Sequence, residues 1–194
     1  MGSFARGAIA FAVAAWCGAV GFGVHAIYAY STTPGARGDA EARWPAASAL
    51  PRDPGAATLV MFVHPDCPCT SASVAELLEI TRATTARLQV VFVVAPGASG
   101  GGDWTPPAEL ARSPRVLDLD AREARLFGAQ TSGHVVLYDA AGRLRFAGGI
   151  TGSRGHTGDN IGRQAVLGAL ADASNAASAA ASHDVFGCAL EDEP

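Results

Sequence analysis

The sequence predicts an α/β fold, a central mixed sheet flanked by helices, preceded by one apolar helix that is long enough to cross a membrane. Near-continuous apolar runs at 58–63 and 88–94 have the composition of buried central strands. The stretch between them carries apolar residues at helical spacing, which gives a β-α-β order. An uncharged segment near the N-terminus supplies the apolar helix.

The composition of the chain excludes several function classes. It has 194 residues with a formal net charge of −4, and the sequence contains no basic patch. Nucleic-acid binders carry such a patch, so we expect no nucleic-acid partner. The four cysteines, at positions 17, 67, 69 and 188, are unevenly spaced around a core-forming domain. This spacing argues against a disulfide scaffold and makes the close central pair the candidate site.

The N-terminal region, residues 1–30, is predicted to be a membrane anchor. Segment 8–30 has no acidic or basic side chain except His25, and a membrane-spanning helix needs about 20 such residues. Aromatic residues at its far end suit a membrane interface, and Arg6 favours a cytoplasmic N-terminus. The expected topology is therefore single-pass in the cell membrane, with a periplasmic or other extracytoplasmic domain. A cleaved signal peptide and a buried core helix are the alternatives.

Residues 31–56 are predicted to be a linker, because they are rich in Ala, Pro, Gly and Arg without a sustained period. The folded domain is predicted over 57–170, in the order β-α-β, a connecting segment and β-β-α. Its strands are expected at 58–63, 88–94, 115–119, 134–138 and 143–147, the last two forming a hairpin.

Side chains of the capping type mark the helix starts. The Ser73-x-x-Glu76 pattern predicts a capping box, so that the first domain helix begins near 71–73. Asp120 is predicted to cap a short helix that Gly128 ends. Asp159 or Asn160 is predicted to cap the last helix, which runs to about residue 170.

The C-terminal region, residues 171–194, combines an Ala/Ser-rich stretch with a short apolar segment around Cys188. The low-complexity part either extends the last helix or forms a flexible linker. The apolar part is predicted to dock on the domain. A linker of this length reaches up to roughly 60 Å, so Cys188 is within geometric reach of the central cysteines.

The central stretch, Phe62 to Thr70, delivers two cysteines from a strand to the start of a helix. Free N–H groups and partial positive charge at a helix N-terminus favour a thiolate, so Cys67 is the candidate nucleophile. A buried, inert small residue is the alternative. Cys69 is a resolving thiol, a metal ligand or a packing residue. A Cys67–Cys69 disulfide closes a small, strained ring, and Cys188 as the resolving partner relieves that strain.

Several sequence blocks resemble a known family. The order of elements, with the cysteine motif between first strand and first helix, is similar to the thioredoxin fold, in its membrane-anchored TlpA-type and peroxiredoxin-like redoxin branch. The matching blocks are 62–70, 127–129 and the hairpin 135–144. The His-Pro-x-Cys-Pro-Cys-Thr motif, segment 148–160 and the terminal Phe-Gly-Cys more narrowly resemble the bacterial RedB-type proteins.

The chain departs from thioredoxin in two ways. The motif fits Cys-x-x-Thr, with Thr70 in the second slot, because an apolar residue then follows seven positions later at Leu77, whereas counting from Cys69 gives Glu76. The proline that precedes the hairpin strand in thioredoxins is replaced by Gly133-His134. This change puts the usual docking of a substrate peptide in doubt and is expected to bring His134 near Cys67.

The resemblance implies thiol–disulfide oxidoreductase or peroxidase-like chemistry, with a protein thiol or disulfide client or a redox donor as partner and no cofactor. Cys67 attacks, Cys69 or Cys188 resolves, and Thr70 and His134 complete the site. A copper-binding or copper-delivery module, with Cys67 and Cys69 helped by His64, is the second hypothesis. A binding module with vestigial chemistry is the third. The loop 153–160, which contains Arg154, either binds an anion or braces the site.

Overall fold

The computed structural model describes residues 2–97, 104–172 and 179–191. The chain forms two compact units, residues 1–33 and 34–194. The first unit is a single helix, α1 (Ser3–Thr32), with apolar side chains all round. Its segment Phe4–Thr32 is long and apolar enough to cross a membrane, and a signal sequence has the same properties.

The second unit is built on one six-stranded mixed sheet. In chain order its elements are β1 (Ala57–Val63), α2 (Thr70–Ala83), β2 (Leu88–Val94), a 3-10 turn (Ala108–Leu110), β3 (Arg115–Leu117), α3 (Arg122–Leu126), β4 (His134–Tyr138), β5 (Leu144–Gly149), α4 (Ile161–Ala171) and β6 (Ala181–His183). The strands lie in the order β3-β2-β1-β4-β5-β6. β1 pairs in parallel with β2 and antiparallel with β4.

The central strands are apolar on both sides because each face of the sheet is covered. Alternate residues of β1 point to opposite faces. Leu59 and Met61 pack with α2 and α4 in one cluster, while Val60 and Phe62 pack with α3 and the aromatic rings of the other. The predicted class, a mixed α/β sheet of thioredoxin-like architecture with flanking helices, is therefore confirmed.

The first helix of the domain begins at Thr70, and the predicted capping box is wrong. Cys69 occupies the N-cap position without a side-chain cap. The Ser73 hydroxyl donates back to the Cys69 carbonyl instead of accepting from the helix start. Glu76 points away from the cap and accepts hydrogen bonds from the loop before α4.

The caps of the two later helices have different outcomes. The predicted Asp120 cap of α3 is wrong, because the carboxylate of Asp118 accepts from the N–H groups of Glu123 and Ala124. For α4 the alternative at Asn160 is confirmed, since its side-chain oxygen accepts from the N–H of Arg163 at 2.8 Å.

Segment 34–56 runs along the domain with few regular hydrogen bonds of its own. The Leu144 N–H donates to the Ala42 carbonyl, and the Tyr138 hydroxyl donates to the Glu41 carbonyl. Trp44 packs edge-on against Phe127 and Tyr138, with ring centroids 5.1 and 5.4 Å apart. Composition alone did not indicate these contacts.

A candidate active site of three thiols

The cysteine turn, residues 64–69, connects β1 to α2. His64-Pro65 ends the strand because proline has no N–H for the sheet. The Cys67 N–H then donates to the His64 carbonyl, and the Thr70 N–H donates to the Cys67 carbonyl, both at 3.1 Å. Cys67 is 4% exposed and Cys69 is 7% exposed. The local sequence thus places both sulfurs at the start of α2, in a largely buried position.

Thr70 fixes this turn to the neighbouring loop. Its hydroxyl donates to the His64 carbonyl at 2.9 Å and lies 3.0 Å from the hydroxyl of Ser132. Ser132 in turn accepts from the His64 N–H at 2.9 Å. Both hydroxyls are buried. Thr70 therefore orients the turn that carries Cys67, and Ser132, which the sequence did not single out, is its partner.

The C-terminal segment, residues 185–190 (the tail), brings the third cysteine to the site. It runs antiparallel to the loop 130–132: the Ser132 N–H donates to the Cys188 carbonyl at 2.8 Å, and the Leu190 N–H donates to the Gln130 carbonyl at 2.9 Å. The Cys188 N–H donates to the sulfur of Cys67 at 3.3 Å. The predicted docking of this apolar segment is confirmed.

Burial and close packing hold the tail in this place. Val185, Phe186 and Leu190 are all buried. Upstream of them, β6 pairs in parallel with β5, a strand the sequence did not predict. At Gly187 a Cβ atom would collide with the carbonyl oxygen of Ser132, so only glycine allows the tail to lie this close.

The sulfur of Cys67 is the acidic one of the three. Burial raises the pKa of the Cys67 thiol, but hydrogen bonds donated by the thiol and N–H of Cys188 and by the N–H and thiol of Cys69 outweigh it. The pKa of Cys67 therefore lies below its ordinary value of 9.0. The thiols of Cys69 and Cys188 donate to the Cys67 sulfur, and these hydrogen bonds favour its thiolate form.

The other two thiols are held protonated. Burial raises the pKa of Cys69, and the negative charge of Cys67 raises it further. Burial raises the pKa of Cys188 to about 12, together with the hydrogen bond to Cys67 and the charges of Cys67 and Cys69. The guanidinium of Arg154 opposes both shifts, lowering the pKa of each thiol. The site thus favours ionisation of Cys67 over that of Cys69 and Cys188, beside the cationic Arg154.

The loop before α4 positions Arg154. A guanidinium nitrogen of Arg154 donates to the Gly187 carbonyl, which ties this loop to the tail. The buried carboxylate of Glu76 braces the same loop, accepting from the Gly158 N–H at 2.6 Å and from Arg163 at 2.7 Å. The loop was predicted either to bind an anion or to brace the site, and these contacts favour the bracing role. Sequence reasoning missed Glu76, because its pattern resembled a helix cap.

Among the described residues, neither of the two predicted histidine rings is hydrogen-bonded to one of the three thiols. His134 is 1% exposed and packs edge-on to Phe62, with ring centroids 6.3 Å apart. Neither ring nitrogen has a hydrogen-bond partner among the described residues. Burial, helped by the charge of Arg37, lowers the pKa of His134 to about 4, so the ring is neutral. The Nδ1 of His64 accepts from the Asp66 N–H at 3.2 Å. Roles for His134 and His64 at Cys67 stay predictions.

Cys17, the remaining cysteine, is exposed on α1 and belongs to the other unit. Within the described ranges, no group of three or more His, Cys, Asp or Glu residues is arranged to hold a metal ion. The site itself consists of three thiols in contact, of which Cys67 has the lowered pKa.

Comparison with solved structures shows the fold. An uncharacterized conserved protein from Geobacillus kaustophilus superposes with a TM-score of 0.57 at 15% identity, covering 84% of this chain and 94% of that one. A hypothetical protein from Sinorhizobium meliloti gives 0.51 at 20% identity, covering 82% and 94%. A thiol-disulfide isomerase from Corynebacterium glutamicum gives a weaker 0.42 at 19% identity, covering 72% and 96%. No family model and no curated protein matches the chain.

Proposed function

We propose that this protein is a thiol–disulfide oxidoreductase in which Cys67 is the nucleophile and Cys188 the resolving thiol. The observation that carries the proposal is the contact between them: the Cys188 N–H lies 3.3 Å from the Cys67 sulfur, and the Cys188 thiol donates to the same atom. A buried thiolate with a second thiol in direct contact has the parts that disulfide exchange needs.

The reaction runs in two displacements. The Cys67 thiolate attacks one sulfur of a client disulfide; the client S–S bond breaks, one client thiolate leaves, and a mixed disulfide forms. The Cys188 sulfur then loses its proton and attacks Cys67, forming a Cys67–Cys188 disulfide and releasing the second client thiolate. The client gains two electrons and the protein dithiol loses two. A dithiol donor returns the protein to its starting state by the reverse steps.

The pKa values of the three thiols impose this order. Burial raises the pKa of Cys188 most, and the hydrogen bond and charge of the Cys67 thiolate raise it further, to about 12, so Cys188 is protonated and does not attack first. Formation of the mixed disulfide removes the charge on Cys67 and with it both of these effects. The nearby Arg154 then favours the Cys188 thiolate. The pKa of the resolving thiol thus falls after the first step, while the contribution of burial remains.

Cys69 is the alternative resolving thiol. It also donates to the Cys67 sulfur. A disulfide between residues separated only by Pro68 closes a small ring, and such strained disulfides are easily reduced. Cys188 approaches from another part of the fold and closes no such ring. This difference favours Cys188, while Cys69 supports the thiolate as a hydrogen-bond donor.

We further propose that α1 anchors the protein in the cell membrane with the thiol domain on the extracytoplasmic side, as in the RedB-type proteins. Arg6 at the short N-terminal end of the apolar segment supports this orientation. Disulfide chemistry also belongs to oxidising compartments. Fusion of alkaline phosphatase, which is active only outside the cytoplasm, to residue 191 checks it; an inactive fusion would contradict the orientation.

Mass-tag alkylation at defined redox potentials tests the chemistry. In wild-type protein poised at oxidising potential, we expect Cys67 and Cys188 to be protected together as a disulfide, with Cys69 free. Cys17→Ser serves as the control, because Cys17 lies outside the thiol domain. Cys67 that stays reduced and unreactive across the whole range of potentials would refute the proposal. Hydrogen peroxide as the oxidant distinguishes a peroxidase-like reaction, which gives a sulfenic acid on Cys67 first.

Binding of a soft metal such as Cu(I) is a second proposed function, supported by the contact between the thiols of Cys67 and Cys69, since thiol sulfur is the ligand type that Cu(I) prefers. Its donors would be Cys67 and Cys69, helped by His64. Titration with Cu(I) against a competing chelator tests it. Equal uptake by wild type and by the Cys67→Ser/Cys69→Ser double variant would remove it.

A further inference from the structure

The edge of the loop 130–132 is already occupied. The Ser132 N–H and the Gln130 carbonyl are both paired with the tail. Thr131 forms an antiparallel bridge with Ala189. An extended client therefore cannot use these backbone groups unless the tail, with its buried Phe186 and Leu190, first leaves. On this side of Cys67 the tail thus occupies the backbone groups that an extended client would pair with.

A groove that Cys67 helps to line lies beside the start of α2. It has a volume of about 570 Å³, within the range of ligand pockets. Apart from Cys67, its main lining residues are Pro68, Val74, Leu78, Trp104 and Pro107. Every described lining residue is uncharged. Cys188 does not line it.

The walls of the groove are set by the fold. Val74 and Leu78 lie one turn apart on α2, on the face that begins beside Cys67. Trp104 forms another wall, packed edge-on to the core residue Phe92 with ring centroids 5.2 Å apart. The groove therefore presents a preformed apolar surface whose rim includes the Cys67 turn.

We propose that this groove binds the client: a protein disulfide whose cysteine is flanked by a bulky apolar side chain, which enters between Leu78 and Trp104. This inference rests on the proposed oxidoreductase function and adds the substrate class. Burial of an apolar side chain here is favourable, whereas a carboxylate would lose water with no described cation in the lining to pair with it.

The direction of exchange supports the same assignment. Displacement at a disulfide sulfur is in line, so the attacking and leaving sulfurs lie on opposite sides of the central one. Cys188 contacts Cys67 from the tail, which is paired with the loop 130–132 and lies outside the groove. A client held in the groove is therefore placed as the leaving group when Cys188 attacks, and the tail need not move aside.

The test measures how fast full-length reduced protein, in detergent, reacts with two synthetic peptide disulfides that differ only beside the cysteine, with phenylalanine or aspartate there. Each rate is divided by that of the same peptide with dithiothreitol. We expect wild type to prefer the phenylalanine peptide by about tenfold or more. Leu78→Gln and, separately, Ala75→Gln should reduce this ratio severalfold, since both residues line the groove on α2.

Leu119→Gln is the matched control, because Leu119 is 64% exposed and does not line the groove; it should keep the wild-type ratio. Thermal melts verify that each variant is folded. A wild-type ratio near one, or a ratio unchanged in both folded groove variants, would overturn the groove assignment while leaving the oxidoreductase function standing. Wild-type protein inert even toward 2-hydroxyethyl disulfide, a small uncharged disulfide, would overturn both.

Discussion

The turn at 67–70 and the tail at 185–190 each bring a thiol into contact with Cys67, but by different means. Cys69 lies two positions away in the same turn. Cys188 lies 121 positions away, yet its N–H is 3.3 Å from the same sulfur. The first contact follows from local chain geometry, the second from strand pairing and burial. The position of Cys67 is thus set by local chain geometry, whereas its contact with Cys188 is set by tertiary structure.

The two contacts also differ in how they can be disturbed. The turn is part of the α2 start and is held by Thr70 and Ser132. The tail depends on buried side chains, each stabilising by about 1.5–3 kcal/mol when fully buried, and on one glycine contact. Changes in the tail should therefore alter the chemistry of Cys67 without removing the helix that carries it.

Removing one donor thiol at a time should have the largest effect and distinguishes the roles of Cys69 and Cys188. Cys188→Ser should slow release of the second client thiol by about a thousandfold, because an intramolecular thiol has a very high effective concentration. The mixed disulfide on Cys67 should then accumulate in acid-quenched samples analysed by mass spectrometry. Cys69→Ser should change release only severalfold. Accumulation in Cys69→Ser instead would make Cys69 the resolving thiol.

Acidification should destabilise the domain through His134, the first residue of β4. Its folded pKa of about 4 lies below the ordinary 6.5, so the folded state resists protonation. The stabilisation is complete above pH 6.5 and is lost as pH falls to 4, by roughly 3 kcal/mol. Urea unfolding of His134→Phe across this range should show a flatter pH dependence than wild type. Equal slopes would show that His134 is not the group responsible.

The substitution Gly187→Ala adds one methyl group to the tail and tests whether packing of the tail sets the reactivity of Cys67. Gly187→Ala should destabilise the domain by roughly 1–3 kcal/mol, because the new Cβ meets the Ser132 carbonyl. As the Cys188 donors move away, the pKa of Cys67 should rise and its alkylation by iodoacetamide at pH 7 should slow. Gly168→Ala, on α4 with no atom near its Cβ position, is the control and should not slow it. An unchanged pH dependence of alkylation in Gly187→Ala would mean that the tail does not set the pKa of Cys67.

The smallest expected effect concerns Arg154, whose charge lowers the pKa of both donor thiols. Arg154→Gln should raise the pKa of Cys188 in the mixed-disulfide state and slow release severalfold. Arg154→Lys should restore part of the rate, although a lysine lacks the planar fork that reaches Gly187. The pH dependence of release, measured in all three proteins, distinguishes a charge effect from a loss of tail packing.

Much of the sheet was predictable because buried strands and their hairpin leave strong patterns in composition. The errors fell where a short polar motif had two possible partners. Ser73-x-x-Glu76 has the sequence of a capping box, yet Glu76 serves the loop before α4, and Asp118 replaces Asp120 as the cap of α3. Strand β6 was missed because its Ala-Ser-His sequence has neither β-branched residues nor alternation.

By itself, the sequence determined the apolar N-terminal helix, the sheet and the placement of Cys67 at a helix start, since these follow from local composition and chain geometry. Only the tertiary structure decided that Cys188 contacts Cys67, that Arg154 and Glu76 support the site, and that Cys67 lines a groove away from the tail. These features join residues far apart in the chain, and their geometry depends on packing that no local pattern encodes.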